Sequence, residues 1–162
     1  MSAPLPDGAD TSHAPVRSLA NVLVTASEAE DRMTWVRRIH DGCGRRGGRF
    51  VGVLSGQKQR VRADDIDDWF ARATGGTLFF GRVGDLSSEA QERLSRQLAE
   101  QSRHANGSTT LRAGTRVRVV AGSDRPLGAD LAIGAFSDEL FYRLTVIHID
   151  LMHQDESGEQ SP

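Results

Sequence analysis

Thr74-Gly75-Gly76-Thr77-Leu78-Phe79-Phe80-Gly81-Arg82-Val83-Gly84-Asp85-Leu86 decides the fold class of this chain. Its run from Thr77 to Phe80 is apolar without polar alternation, as expected of a strand in a parallel sheet covered on both faces. The spacing predicts a strand over 77–83, preceded by a Gly-Gly turn.

Working outward, Asn21–Thr25 is a short β-branched run and Ala29–Asp41 reads as a helix. That helix places Met33, Val36, Ile39 and His40 near one face, with Arg37 and Arg38 off it. Gly42–Gly48 is a loop by composition, Arg49–Leu54 a second strand, and Asp64–Ala73 a helix with Ile66, Trp69 and Phe70 at helical spacing. Ser88 and Gln91 have capping-box spacing and open a helix to about Ser102. A polar connection, with room for a small hairpin, covers His104–Thr115. Arg116–Ala121 is a strand, Ser137–Leu144 a helix and Thr145–Leu151 a final strand. Five strands separated by helices predict an α/β domain with a mostly parallel sheet wrapped on both faces.

The bulk composition excludes several classes. The 162 residues carry a net charge of -2, which gives no global attraction to nucleic acid or anionic membrane. No apolar run approaches bilayer length. Cys43 is the only cysteine, so no internal disulfide forms, and a reducing cytoplasm is the natural setting. Lys58 is the only lysine, and lysine is the usual phosphate-gripping residue of nucleotide loops. Residues 1–18 and the acidic residues 152–162 are predicted to be disordered tails around one domain at 19–151. His40, Cys43, His148 and His153 have no metal-ligand spacing, so no metal site is expected. Cys43 has no identifiable acid–base partner. Trp35 and Trp69 fit packing or a partner contact better than a ligand site. Arg37-Arg38 and Arg45-Arg46 fit solvated faces better than the alternative, a basic patch for an acidic partner.

Several segments, in order, resemble the AAA+ domain of bacterial sigma-54-dependent activators, the enhancer-binding proteins. Val22-Leu23-Val24-Thr25 followed by Arg37-Arg38-Ile39-His40 is similar to that family's first strand and the end of its P-loop helix. Arg45-Arg46 through Phe50-Val51-Gly52-Val53 resembles the next strand. Phe70-Ala71-Arg72-Ala73-Thr74-Gly75-Gly76-Thr77-Leu78-Phe79 resembles F-x-x-A-x-G-G-T-L-F. Val117 to Ala121 resembles the sensor strand, and Asp138-Glu139-Leu140-Phe141-Tyr142-Arg143-Leu144 the segment carrying inter-subunit arginines. The resemblance covers about residues 21–151 and implies a P-loop NTPase-like fold, an ATPase ancestry and a link to transcription regulation.

The family's working motifs are altered. Its P-loop G-E-S-G-T-G-K-E corresponds to Ala26-Ser27-Glu28-Ala29-Glu30-Asp31-Arg32-Met33, without a glycine. Glycines let backbone N–H groups converge on phosphate. Glu28, Glu30 and Asp31 instead face the place of polyphosphate, where like charges about 4 Å apart repel by roughly 4 kcal/mol at an effective dielectric near 20. The acidic run also suits a plain helix start, because carboxylates favour the dipole there. Arg32 takes the lysine place, and Met33 cannot ligate Mg²⁺. Gly81 and Arg82 stand where the family has the carboxylates that hold the metal and polarise water. Asp124 replaces the sensor asparagine. Ser137 replaces the first of two family arginines, and Arg143 is retained as a candidate arginine finger or partner contact.

The segment between Val53 and Phe70 is too short for the family's sigma-contact insertion, and Gly134-Ala135-Phe136-Ser137, close to its G-A-F-T-G-A, belongs to the later motif. The chain ends where the helical lid would begin. The expectation is a non-enzymatic regulatory domain without lid, metal or cofactor. Its partner would be another AAA+ activator subunit or a transcription regulator, with no direct nucleic-acid or membrane contact. The alternatives are a residual ATP/ADP sensor or weak ATPase, for which ATP and Mg²⁺ would be the ligands, and a decaying fragment without a selected role.

Overall fold

In a computed structural model, residues 20–42, 48–54, 61–106 and 115–152 are described. The elements are β1 (Val22–Thr25), α1 (Ala29–Gly42), β2 (Phe50–Val53), α2 (Ala63–Arg72), β3 (Thr77–Phe80), a 3-10 turn at Val83–Asp85 and α3 (Ser88–Asn106). They are followed by β4 (Arg118–Ser123), α4 (Gly128–Ala132), α5 (Asp138–Leu144) and β5 (Ile147–Asp150). The strands form one sheet in the order β2-β3-β4-β1-β5, and every pairing is parallel.

Alternation along the strands divides the core in two. Leu23, Leu78, Phe80, Val119 and Ala121 face Ile66 and Phe70 of α2, Leu94 and Leu98 of α3, and Leu140 and Leu144 of α5. Val22, Val24, Phe79 and Val120 face Val36 and Ile39 of α1. Both faces of β1 and β3 are covered, which is why these two strands read as unbroken apolar runs. Trp69 meets Phe80 edge-on at 6.1 Å, and Trp35 is partly buried under the Arg38 guanidinium at 5.2 Å. Both tryptophans therefore have packing partners.

Several element boundaries differ from the sequence reading. The third strand stops at Phe80, because Gly81 and Arg82 turn the chain away after one further ladder bond from Gly81 N to Val53 O. The cap of α3 is Ser87, whose Oγ accepts from Ala90 N, and not Ser88. Gln91 therefore makes no capping box. Its amide donates to Leu86 O and Ala135 O and accepts from Ser137 N, clamping the loop before α5. The third helix continues to Asn106, beyond the expected stop. The short α4 has no counterpart in the sequence reading, which passes from the strand at Arg116–Ala121 to the helix at Ser137–Leu144. Ser137 caps α5, its hydroxyl accepting from Leu140 N. The predicted tails at 1–18 and 152–162 (apart from Met152, which is described), most of the Gly42–Gly48 loop, and residues 107–114 of the supposed hairpin lie outside the described residues, as do Cys43, Lys58, Arg45, Arg46 and His153.

Candidate functional site

In a sheet of this order the strand sequence reverses beside β1, and the crevice beyond the carboxyl ends of the strands there is where such folds bind ligands. Three turns meet at that edge: Ala26–Glu28 after β1, Gly81–Arg82 after β3, and Asp124–Arg125 after β4.

Arg32 occupies the first part of the crevice. It sits on the same helical face as Val36 and Ile39 and is buried, at 5% exposure. Its guanidinium donates to Ala26 O at 2.5 Å and Ser27 O at 3.0 Å, and its Nε donates to Gly81 O at 3.2 Å. Three carbonyl oxygens thus converge on one cation, the opposite polarity to a cradle of amide hydrogens. Of the carboxylates read from the sequence, Glu30 borders the adjoining cavity of about 480 Å³, together with Ala29, Met33, Leu54 and Phe79. Glu28, Glu30 and Asp31 are exposed to solvent. Gly122 completes the close packing, since a Cβ there would lie 2.7 Å from Gly81 O and 3.1 Å from Arg32 Cδ.

The second part of the crevice is an ion-pair network. Arg82 reaches Asp85 at 3.0 Å and Asp124 at 2.8 Å. Arg125 reaches Asp124 at 3.2 Å, Asp130 at 3.1 Å and Asp85 at 3.5 Å. Hydrogen bonding to Asp130 raises the Arg125 pKa further above its ordinary value. Two arginines and three aspartates therefore join the turns after β3 and β4 to α4. Sequence reasoning placed Arg82 and Asp124 here but did not pair them, and it missed Asp85, Asp130 and the role of Arg125.

The remaining candidates lie elsewhere. Arg143 is on α5, its guanidinium paired with Glu139 at 3.0 Å, in a groove against α3 and away from the crevice. His40 Nδ1 shares a hydrogen bond of 2.8 Å with the buried Thr77 hydroxyl, and the ring meets Phe50 edge-on, so it packs. His148 bonds Thr25 Oγ1 at 2.9 Å across the β1–β5 pair. Asn21, also missed, ties the sheet to α5: its amide donates to Arg143 O and accepts from Val119 N. Among the described residues no group of three or more potential metal ligands forms, and no helix is long and apolar enough to cross a membrane.

A parallel sheet of this order with its ligand edge at the β1, β3 and β4 turns defines a P-loop NTPase-type α/β domain. The family model for the sigma-54 interaction domain matches residues 54–150, and the chain belongs to that family. It is 32% identical over 158 residues to the DNA-binding transcriptional regulator NtrC of Azospirillum brasilense, covering 87% of this chain and 32% of that protein. It is 31% identical to the sigma54-dependent transcriptional activator SfnR of Pseudomonas putida, covering 90% of this chain and 44% of that protein. The chain thus spans less than half the length of these relatives. Among solved structures, NtrX from Brucella abortus in complex with ADP superposes with a TM-score of 0.70 at 22% identity, over 86% of this chain and 34% of that one. The P-loop NTPase domain of an E. coli sigma-54 activator gives 0.61 at 22% identity, over 86% of this chain and 95% of that one. These likenesses confirm the fold.

Proposed function

We propose that this chain is a non-enzymatic regulatory module of sigma-54-dependent transcription control, acting in the cytoplasm on a partner of its own family. The observation that carries it is Arg32 bonded to the carbonyls of Ala26, Ser27 and Gly81. A triphosphate entering there would meet carbonyl oxygens, and Arg32 would first have to give up three hydrogen bonds to reach it. Gly81 offers no carboxylate for Mg²⁺, and Arg82 is already committed to Asp85 and Asp124. Metal-assisted phosphoryl transfer therefore lacks its ligand and its water-polarising group.

A domain of this kind can act on a related activator's ring by contact alone. Arg143 is the residue best placed to be lent to it. Its pair with Glu139 is an i,i+4 surface pair worth about 0.3–0.5 kcal/mol, so exchange for a better anion costs little.

The test has two parts. Titration with labelled ATP and Mg²⁺ should show no saturable binding, and the chain alone should show no turnover. Mixing the chain with a related active activator should change that activator's ATPase rate, and Arg143→Ala should remove the change. Micromolar ATP binding abolished by Arg32→Ala would instead establish a nucleotide sensor. That second reading has one favouring observation: a cavity bordered by Arg32 and Arg82 persists beside the crevice.

A further inference from the structure

We infer that the groove between α3 and α5 is a docking site for an acidic polypeptide segment of a partner protein. The groove has a volume of about 920 Å³. The helix α3 turns its apolar residues Ala90, Leu94 and Leu98 to the core. Beside them it turns a second stripe to the groove, in which Ser95, Ala99 and Ser102 form a floor of small side chains. Small side chains let another backbone approach closely.

Ser95 is buried at 6% exposure, and its hydroxyl has no hydrogen-bond partner among the described residues. A buried hydroxyl without a partner is costly, so the floor at Ser95 is under-satisfied in the free chain. Charge indicates what arrives. Arg96 and Arg103 project along one wall, seven residues and so about 10 Å apart, with Arg143 on the other wall. Arg103 has no ion-pair partner among the described residues, while Arg96 and Arg143 hold only the i,i+4 glutamates Glu92 and Glu139. Three guanidinium groups against two carboxylates leave the groove cationic. Paired guanidinium groups spaced along a trough of this depth suit a chain bearing successive carboxylates. This inference is independent of whether the crevice at Arg32 admits nucleotide.

Fluorescence anisotropy of a labelled peptide alternating Glu and Ala, titrated with the full chain, tests it. Binding should saturate, weaken with salt, and fall about tenfold or more in Arg96→Gln/Arg103→Gln. Ala99→Leu, which fills the groove without changing charge, should weaken it similarly. Should Ala99→Leu fail to fold by circular dichroism, Ser102→Leu at the exposed end replaces it. No binding overturns the inference, as does equal binding of the Gln-for-Glu peptide, or binding indifferent to groove filling. Displacement by inorganic phosphate at the peptide's own affinity would assign the groove to free oxyanions and overturn it. Loss of a self-associated species on filling the groove, by sedimentation, would assign it to a second copy with the same consequence.

Discussion

Arg82 Nη2 lies 2.8 Å from a carboxylate oxygen of Asp124, joining the turn after β3 to the turn after β4. The two side chains complement each other in charge. Both side chains are about one-third exposed, so the pair is worth on the order of 1 kcal/mol. A double-mutant cycle with Arg82→Ala, Asp124→Ala and both should give a coupling energy of roughly 0.5–1 kcal/mol by urea unfolding. Additive single effects would show that the contact is incidental.

Arg32→Ala should destabilise the fold by about 2–4 kcal/mol, because it strands three carbonyls and opens the space between β1 and β3. Arg32→Lys should recover part of the loss, since one ammonium group cannot match the reach of the planar fork. Denaturant midpoints of the two variants make the comparison.

Gly122→Ala should cost about 1–3 kcal/mol, since the added methyl would press on Gly81 O and on the Arg32 stem. Gly128→Ala, where a Cβ meets nothing within 4 Å, is the control. Equal melting temperatures for the two variants would contradict the packing described at Gly122.

Restoring Gly and Lys within Ala26–Met33 alone should give no ATP hydrolysis, because Gly81 and Arg82 still provide no metal ligand or water-polarising carboxylate. A Cβ at Gly81 would meet Leu54 Cδ2 at 3.3 Å, and Leu54 is exposed enough to yield. Adding Gly81→Asp and Arg82→Glu to the restored loop is therefore a feasible comparison. Turnover in the loop-only variant would contradict the chemistry assigned to the end of β3.

Asp67 joins α2 to α3. It accepts from the Arg93 guanidinium at 2.8 Å and from Gln97 at 2.6 Å. The hydrogen bond from Arg93 holds its carboxyl below the usual carboxylate range. A depressed folded-state pKa contributes stability that is present above the unfolded value, near 3.9, and lost as pH falls through the folded value. Asp67→Asn should therefore cost about 0.5–1 kcal/mol at neutral pH. The difference from wild type should shrink below about pH 4, as followed by urea unfolding across pH.

Much of the fold was legible because periodicity reports burial. Val22 to Thr25 and Thr77 to Phe80 are buried on both faces and read as unbroken apolar runs. Trp69 and Phe70 marked α2 by their spacing. Boundaries were less legible. Ser87 and Ser88 are chemically alike, and only the backbone path selects Ser87 as the cap. Gln91 looked like a capping residue because its tertiary use, clamping the loop before α5, leaves no local trace. At the crevice, Arg32 did carry a signal: it shares helical spacing with Val36 and Ile39.

The sequence by itself determined the order of the main strands and helices, the apolar faces of the helices, and the absence of glycine from Ala26–Met33 and of a carboxylate at Gly81 and Arg82. These are properties of residue type and spacing along the chain. The tertiary structure alone decided which residues split the core into two layers and what the side chains at the carboxyl edge of the sheet bond to. Arg32 finds Gly81 O from 49 positions away, and Arg82 finds Asp124, because a parallel sheet gathers the carboxyl ends of distant strands onto one edge. A guanidinium can satisfy its donors on carbonyls or on carboxylates, and only the positions of those acceptors in space settle which.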